Sequence, residues 1–315
     1  MSDSSTTRAR RSCLAVPGSS QKMLAKAAEM NVDQVFLDLE DSVAIGQKVE
    51  ARRNVIAALQ DGDFGDKTVV VRVNAVDTHL CYRDLIEVVE AAGPHIDCIM
   101  VPKVQNPGQI EFIDHMLRMI EEQIELPHRI GIEAQIEDAA GLTNIDDIAF
   151  ASERIETLIL GPGDMSAALG MPSTTLGARS ATYPGDIWHH VLMRILIAAR
   201  NAGVQAIDGP YAKIKDTEGL REVAVMAKSM GYDGKWVLHP AQVEVVNEVF
   251  SPTQQEFEYA TDLLAAYAQS SGQDGAGAVM FGDVMIDEAS AKMAQVICQR
   301  GGAAGLTARP EGQRD

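Results

Sequence analysis

Eight short apolar runs alternate with longer amphipathic stretches along most of this chain, and that alternation restricts the fold more than any other feature. The runs are Cys13–Val16, Gln34–Leu39, Thr68–Val73, Cys98–Val101, Arg129–Ile136, Thr157–Leu160, Val204–Ile207 and Lys235–Leu238. Each is strand-sized, and most are rich in Val, Ile or Leu, as expected of strands buried on both faces. The stretches between them have helical spacing. Gln21–Glu29 gathers Met23, Leu24, Ala27 and Ala28 on one side. Pro107–Glu122 places Ile110, Ile113, Leu117 and Ile120 at intervals of three and four, and Thr217–Met230 does the same with Leu220, Val223 and Ala227. Eight strand–helix units in strict order predict an α/β fold, a (β/α)8 TIM barrel with a C-terminal helical extension. An open doubly wound sheet is the alternative.

The expected domain boundaries follow from where the alternation starts and stops. Residues 1–10 are polar and then basic, with no separate apolar signal core behind them, and read as a disordered tail. Residues 11–250 hold the barrel catalytic domain. Residues 251–315 form an extension with a helix over Gln254–Gln269, a break at Ser270–Gly277 containing Gly272, Gly275 and Gly277, and a final segment over Val279–Arg300. That extension reads as too short to bury its own core, so it is expected to pack on the barrel or on a neighbouring subunit. Gly170–Pro184 is loop-like and follows the sixth run, which puts it on the catalytic face of a barrel.

The formal net charge of −18 argues against nucleic acid and against an anionic membrane surface as partners. No apolar run approaches the roughly 20 residues that span a bilayer. Cys13, Cys81, Cys98 and Cys298 are scattered, with no Cys-x-x-Cys pair, which fits a reducing cytoplasm better than a disulfide frame or a zinc site.

In a barrel of this kind, chemistry sits where the strands finish. The polar residues there are Glu40 and Asp41, Arg72 and Asn74, Lys103, Gln135 and Glu137, Asp164, Asp208 and His239. Glu137 and Asp164 end adjacent strands, so their carboxylates are placed to converge. Two close carboxylates repel unless one stays protonated or a cation lies between them. Two hard oxygen ligands from protein, with substrate and water completing the shell, is the usual Mg²⁺ arrangement. Asp164 follows Gly161-Pro162-Gly163, so a helix N-cap is its competing role. Gly161 and Gly163 let backbone approach a ligand closely. Arg72, deep in Val70-Val71-Arg72-Val73-Asn74, needs a partner. Glu40 or Asp41 is the structural option, and a substrate carboxylate or enolate oxygen the functional one. His239 reads first as a hydrogen-bonded structural residue and Trp236 as core.

Several stretches together resemble a known family. They are Val16-Pro17-Gly18-Ser19 with Lys22 and Lys26, Leu37-Asp38-Leu39-Glu40-Asp41-Ser42-Val43-Ala44 with Lys48, and Val71-Arg72-Val73-Asn74. They continue with Val101-Pro102-Lys103, Ile136-Glu137-Asp138-Ala139-Ala140-Gly141, Leu160-Gly161-Pro162-Gly163-Asp164, Gly234-Lys235-Trp236-Val237-Leu238-His239-Pro240 and Met285-Ile286-Asp287. The chain resembles the CitE-like branch of the HpcH/HpaI aldolase and citrate lyase family, and within it looks like malyl-CoA and β-methylmalyl-CoA lyases. The resemblance implies Mg²⁺ on Glu137 and Asp164, with Mn²⁺ able to substitute. It implies that Arg72 steadies an enolate or oxo-acid. It also implies that Asp287, delivered from a neighbouring subunit of a homo-oligomer (a trimer or hexamer), transfers a proton at the acetyl carbon. Lys22 and Lys26 then help hold CoA, Gly163 and Asp164 contact substrate, and Glu40, Asp41, Lys103 and His239 support the site. The expected partners are an acyl-CoA thioester and a glyoxylate-type oxo-acid. Two departures stand out: Ser20 replaces a basic residue of some relatives, and the loop Met171–Pro184 is short.

The implied activity is a reversible Claisen-type cleavage of (3S)-malyl-CoA or β-methylmalyl-CoA to glyoxylate and acetyl-CoA or propionyl-CoA. Citramalyl-CoA lyase, malyl-CoA thioesterase and citrate lyase β subunit are alternatives on the same scaffold. A decayed-barrel assembly protein is the non-enzyme alternative, and it would be marked by loss of Arg72, Glu137, Asp164 or Asp287, all of which are present.

Overall fold

A computed structural model describes residues 8–172, 175, 183–273 and 277–309. The chain divides into two compact units, residues 1–247 and 248–315.

The first unit is a closed barrel of eight parallel strands, each paired with the next and the last with the first. They are β1 (Ser12–Pro17), β2 (Gln34–Asp38), β3 (Thr68–Arg72), β4 (Cys98–Val101), β5 (Gly131–Ile136), β6 (Ile155–Leu160), β7 (Gln205–Asp208) and β8 (Gly234–Val237). The expected barrel is present, and each strand lies within about two residues of its apolar run. The open-sheet alternative is excluded by the β1–β8 pairing, which sets Cys13 opposite Trp236. The helices of this unit are α1 (Gln21–Ala28), α2 (Lys48–Asp61), α3 (Cys81–Ala92), α4 (Pro107–Gln123), α5 (Ala139–Thr143), α6 (Ile145–Ala149), α7 (Pro162–Ala168), α8 (His189–Ala202) and α9 (Thr217–Met230); α10 (Val243–Phe250) carries the division between the units.

Strand residues alternate between two apolar environments, which is why the runs lack polar alternation. Cys13, Phe36, Val70, Cys98, Met100, Ile159, Ile207 and Trp236 form one buried cluster. The intervening residues Val35, Leu37, Val69, Val71, Ile99, Ile132, Ala134, Ile136, Leu158 and Leu160 are also buried. Each fully buried Leu, Ile or Val contributes about 1.5–3 kcal/mol.

The N-terminal end corrects the expectation of a disordered tail through residue 10. Arg10 is buried, and its guanidinium bonds Gln34 and Glu133 at 2.9 Å, Gln205 at 2.6 Å and Glu156 at 2.6 Å. Arg8 pairs with Asp97 and Glu156. Arg10 answers the buried carboxylate Glu133, which a lone burial would penalise heavily. Residues 1–7 of the expected tail lie outside the described residues.

The second unit holds α11 (Gln254–Gln273), β9 (Ala278–Phe281), β10 (Val284–Asp287) and α12 (Glu288–Ala303). Gly272, expected in a loop, falls inside α11, and Gly275 lies outside the described residues. The final segment begins with an antiparallel hairpin, which the expectation of a helical extension did not include. Gly282 supplies the left-handed φ of +58° that its two-residue Gly-Asp loop needs. The unit also has a small core of its own, contrary to expectation. Ala260, Leu263, Ile286 and Ala294 are buried together, with Tyr267, Phe281 and Ile297 packed against them. Among the described residues, no helix is long and apolar enough to cross a membrane.

Candidate active site at the barrel mouth

Three adjacent strand ends, those of β2, β3 and β4, bring the first group together. Asp38 and Arg72 are register partners. Arg72 Nε donates to Asp38 Oδ1 and Nη2 to Oδ2, each at 2.7 Å. The remaining nitrogen, Nη1, lies 3.4 Å from Glu40 and 3.5 Å from Gln135 Oε1. The guanidinium also stacks over Phe36 and Trp236, at 5.7 and 5.1 Å from their centroids. Burial alone would lower the Arg72 pKa; the Asp38 carboxylate outweighs it and holds the group charged. The main structural partner of Arg72 is Asp38, directly across the ladder, while the expected ion pair with Glu40 is also present, at 3.4 Å. Asp41 does not pair with Arg72 at all; it meets Lys103.

Asp38 also organises the turn after β2, accepting from the backbone N–H of Glu40 at 2.8 Å and of Ser42 at 3.1 Å. Lys48, a buried lysine, donates to the carbonyls of Leu39 and Glu40 at 2.7 and 2.6 Å. These two residues aim Glu40 and Asp41 at the mouth. Neither was singled out as functional from the sequence, although an acid closing a five-residue apolar strand was the available signal.

The second group comes from β4, β5 and β6. Glu137 follows β5 and is buried, while Asp164 sits in the first turn of α7 and is exposed. The N-cap of α7 is Gly161, so the capping role considered for Asp164 is not the one it fills. Gly161 lies against Glu137: a Cβ there would overlap the Glu137 carboxylate. One residue links the pair. The Lys103 backbone N–H donates to Glu137 Oε2 at 3.2 Å, and its ammonium lies 3.4 Å from Asp164 Oδ2 while bonding Glu40 and Asp41. Burial pushes the Glu137 pKa up to about 7, with Glu40 and Asp164 adding to it and Arg72 and Lys103 opposing.

A hard cation fits this donor set. Glu137 offers an oxygen in a dry site and Asp164 offers one at the rim, beside the Lys103 ammonium at 3.4 Å. Among the described residues there is no group of three or more His, Cys, Asp or Glu arranged to hold a metal, so a soft or fully protein-caged ion does not fit.

The other expected residues of the barrel unit lie on α1, on α7 and at the ends of β3, β7 and β8. Lys22 and Lys26 are exposed on α1, four residues apart and so on one helix face; Ser20, the departure noted above, caps that helix by accepting from Met23 N at 3.4 Å. Gly163 is half-buried in the first turn of α7. His239 is exposed and its Nδ1 accepts from Ala241 N–H at 3.1 Å, the structural role read first for it. Asn74 is held by Asp84, and Asp208 by Lys235. Asp287 belongs to the second unit, where it caps α12 by accepting from Ser290 N and Oγ at 2.9 and 3.1 Å. Most of the loop Met171–Pro184 lies outside the described residues.

The sequence model of the HpcH/HpaI aldolase/citrate lyase family matches residues 11–240. The chain belongs to that family. Among its relatives is the L-malyl-CoA/β-methylmalyl-CoA lyase of Rhodobacter capsulatus, 37% identical over 293 residues, covering 90% of this chain and 92% of the relative. The (3S)-malyl-CoA thioesterase of Cereibacter sphaeroides is 35% identical over 275 residues, covering 87% and 89%. Among solved structures, CitE from Mycobacterium tuberculosis in complex with magnesium, acetoacetate and coenzyme A is 31% identical with a TM-score of 0.72, covering 92% of this chain and 97% of that one.

Proposed function

We propose that the chain is a Mg²⁺-dependent carbon–carbon lyase that cleaves (3S)-malyl-CoA or β-methylmalyl-CoA to glyoxylate and acetyl-CoA or propionyl-CoA, reversibly. The observation that supports this reading is that Glu137 and Asp164 close adjacent strands, near enough that Asp164 raises the Glu137 pKa, beside a guanidinium fixed by Asp38. The substrate class is supported by the Rhodobacter relative, and the ion by the magnesium in the Mycobacterium neighbour. Glu137 and Asp164 hold the ion, Mg²⁺ or Mn²⁺, which when bound supplies Lewis acidity to the oxygens of the oxo-acid half.

The chain's own groups do the rest. Arg72 stabilises negative charge on the thioester oxygen as the carbon–carbon bond breaks, through Nη1, since Nε and Nη2 are committed to Asp38. Asp287 handles the proton at the acetyl carbon. Its pKa is lowered by hydrogen bonds from Ser290, which favours the ionised form that removes a proton in the condensation direction; in cleavage the substrate hydroxyl releases its proton and the acid form of Asp287 delivers one to the acetyl carbon. Lys22 and Lys26 meet the CoA phosphates, and a homo-oligomer, trimer or hexamer, delivers Asp287 to a neighbour's barrel. The free cysteines fit a cytoplasmic enzyme.

The test is product identity. Purified protein with Mg²⁺ and malyl-CoA should yield glyoxylate and acetyl-CoA by mass. The second reading, favoured by the Cereibacter relative, is thioester hydrolysis. Malate with free CoA and no glyoxylate would establish that reading and end the first.

A further inference from the structure

Lys103 is strained where it stands. Its φ is +53°, and among the described non-glycine residues only Glu125 shares a positive value. Such a backbone costs on the order of 1–3 kcal/mol and persists only where its surroundings hold it. Here they do. The main chain is bonded to Glu137, and the ammonium touches Glu40, Asp41 and Asp164. One residue therefore contacts both carboxylates assigned to the divalent ion and two more that are not.

Four acids thus crowd one mouth; Arg72 spends two nitrogens on Asp38 and leaves one, 3.4 Å from Glu40, and the buried Lys48 is bonded to backbone carbonyls. Without a further positive charge they repel. The Lys103 ammonium is that charge. A divalent ion between Glu137 and Asp164 is a like charge close to it, so the two cannot both stay near Asp164 without cost. The ammonium is already bonded to Glu40 and Asp41, with Asp164 the more distant partner at 3.4 Å, and the side chain is about one-third exposed.

We infer that Lys103 is a tethered counter-cation that neutralises the mouth when no divalent ion is present, and that it gives up Asp164 while keeping Glu40 and Asp41 when one binds. It is a positioning residue, and it sets the affinity for the ion. This rests on the reading of Glu137 and Asp164 as the ion's ligands.

The experiment is Mn²⁺ binding to the full chain, followed by loss of the sharp paramagnetic resonance signal of the free ion, without substrate. Lys103→Met should bind Mn²⁺ about tenfold more tightly than the unaltered protein, since a nearby like charge has gone. Lys103→Arg should bind as the unaltered protein does. In chelator, Lys103→Met should melt at lower temperature than Lys103→Arg, and saturating Mn²⁺ should close that gap. Glu137→Gln is the control and should not bind. If Glu137→Gln abolishes binding but Lys103→Met binds equally or more weakly, the counter-cation role is wrong and the ion site stands. If Mn²⁺ does not bind, or binds regardless of Glu137, the ion site falls and this inference with it.

Discussion

The Arg72 guanidinium meets the Asp38 carboxylate edge to edge, two nitrogens to two oxygens, each at 2.7 Å. The pair spans β2 and β3 in register and is almost wholly buried. The planar fork is thus spent on locking the side chain, and what faces the reaction is one nitrogen at a fixed place. A lysine cannot be held this way. Arg72→Lys should lower kcat on the order of 10²–10³-fold with a smaller change in KM. An unchanged kcat with a raised KM would make Arg72 a ground-state carboxylate binder instead. Asp38→Asn should cost roughly 3 kcal/mol in denaturant unfolding, because it leaves a buried charge poorly answered.

Glu137 and Asp164 should each be indispensable to turnover and dispensable to folding. Both sit at the open end of the barrel, clear of the apolar cluster that holds the strands together. Replacing either by Ala should reduce kcat by on the order of 10³-fold or more with an unchanged far-UV circular dichroism spectrum. EDTA should do the same to the unaltered protein, with recovery on adding Mg²⁺ or Mn²⁺. Full activity in chelator would sink the ion's role.

Protons and the ion should compete at Glu137. With no ion bound, its pKa is about 7 against an ordinary value of 4.5. Between those values the folded chain holds more protons at this group than the unfolded chain, so its contribution to stability falls as pH rises from about 4.5 to about 7 and is level above that. The ion needs the ionised carboxylate, so its affinity should fall as pH drops below about 7. Urea unfolding in EDTA across that window measures the first effect and Mn²⁺ titration at about pH 6 and about pH 8 the second. Glu137→Gln should remove the stability slope; an unaltered slope in that variant assigns it to another group.

Gly161 should tolerate no side chain if Glu137 is to keep its place. β5 and β6 are in register through Ile136 and Leu160, so the residues that follow, Glu137 and Gly161, press together. Gly161→Ala should weaken Mn²⁺ binding by on the order of tenfold and cost about 1–3 kcal/mol of stability. Unchanged binding would show that Glu137 has another position available.

Much of this was legible in the residues. The apolar runs located every barrel strand because burial on both faces removes polar alternation, and strand ends located Arg72, Lys103, Glu137 and Asp164. What was not legible depends on register. Asp38 looked like one acid among three until the β2–β3 ladder set it opposite Arg72. The left-handed φ of Lys103 has no sequence signal, since it is imposed by Glu137 and the neighbouring acids rather than by a glycine. Arg10 was read as tail because its partners, Gln34, Glu133, Glu156 and Gln205, lie far along the chain. The hairpin before α12 was missed because four-residue strands are too short to show a period.

Asp287 gives the last prediction, that active sites are completed between subunits. Within its own unit, Asp287 caps α12 through Ser290, so its carboxylate is held in a defined place by local bonds. Ile286, one residue earlier, is buried in that unit's core and anchors the strand that carries it. A carboxylate mounted on a small unit with its own core suits delivery to another molecule. Entering a mouth that already holds Glu137 and Asp164, it would need the divalent ion and Arg72 to offset the repulsion. Complementation tests this. Asp287→Ala protein and Glu137→Ala protein, each inactive alone, should regain part of the activity when mixed under conditions that exchange subunits. Some interfaces then pair an intact barrel with an intact Asp287. Confirmed exchange with no returning activity would mean that Asp287 serves its own chain or takes no part in the reaction.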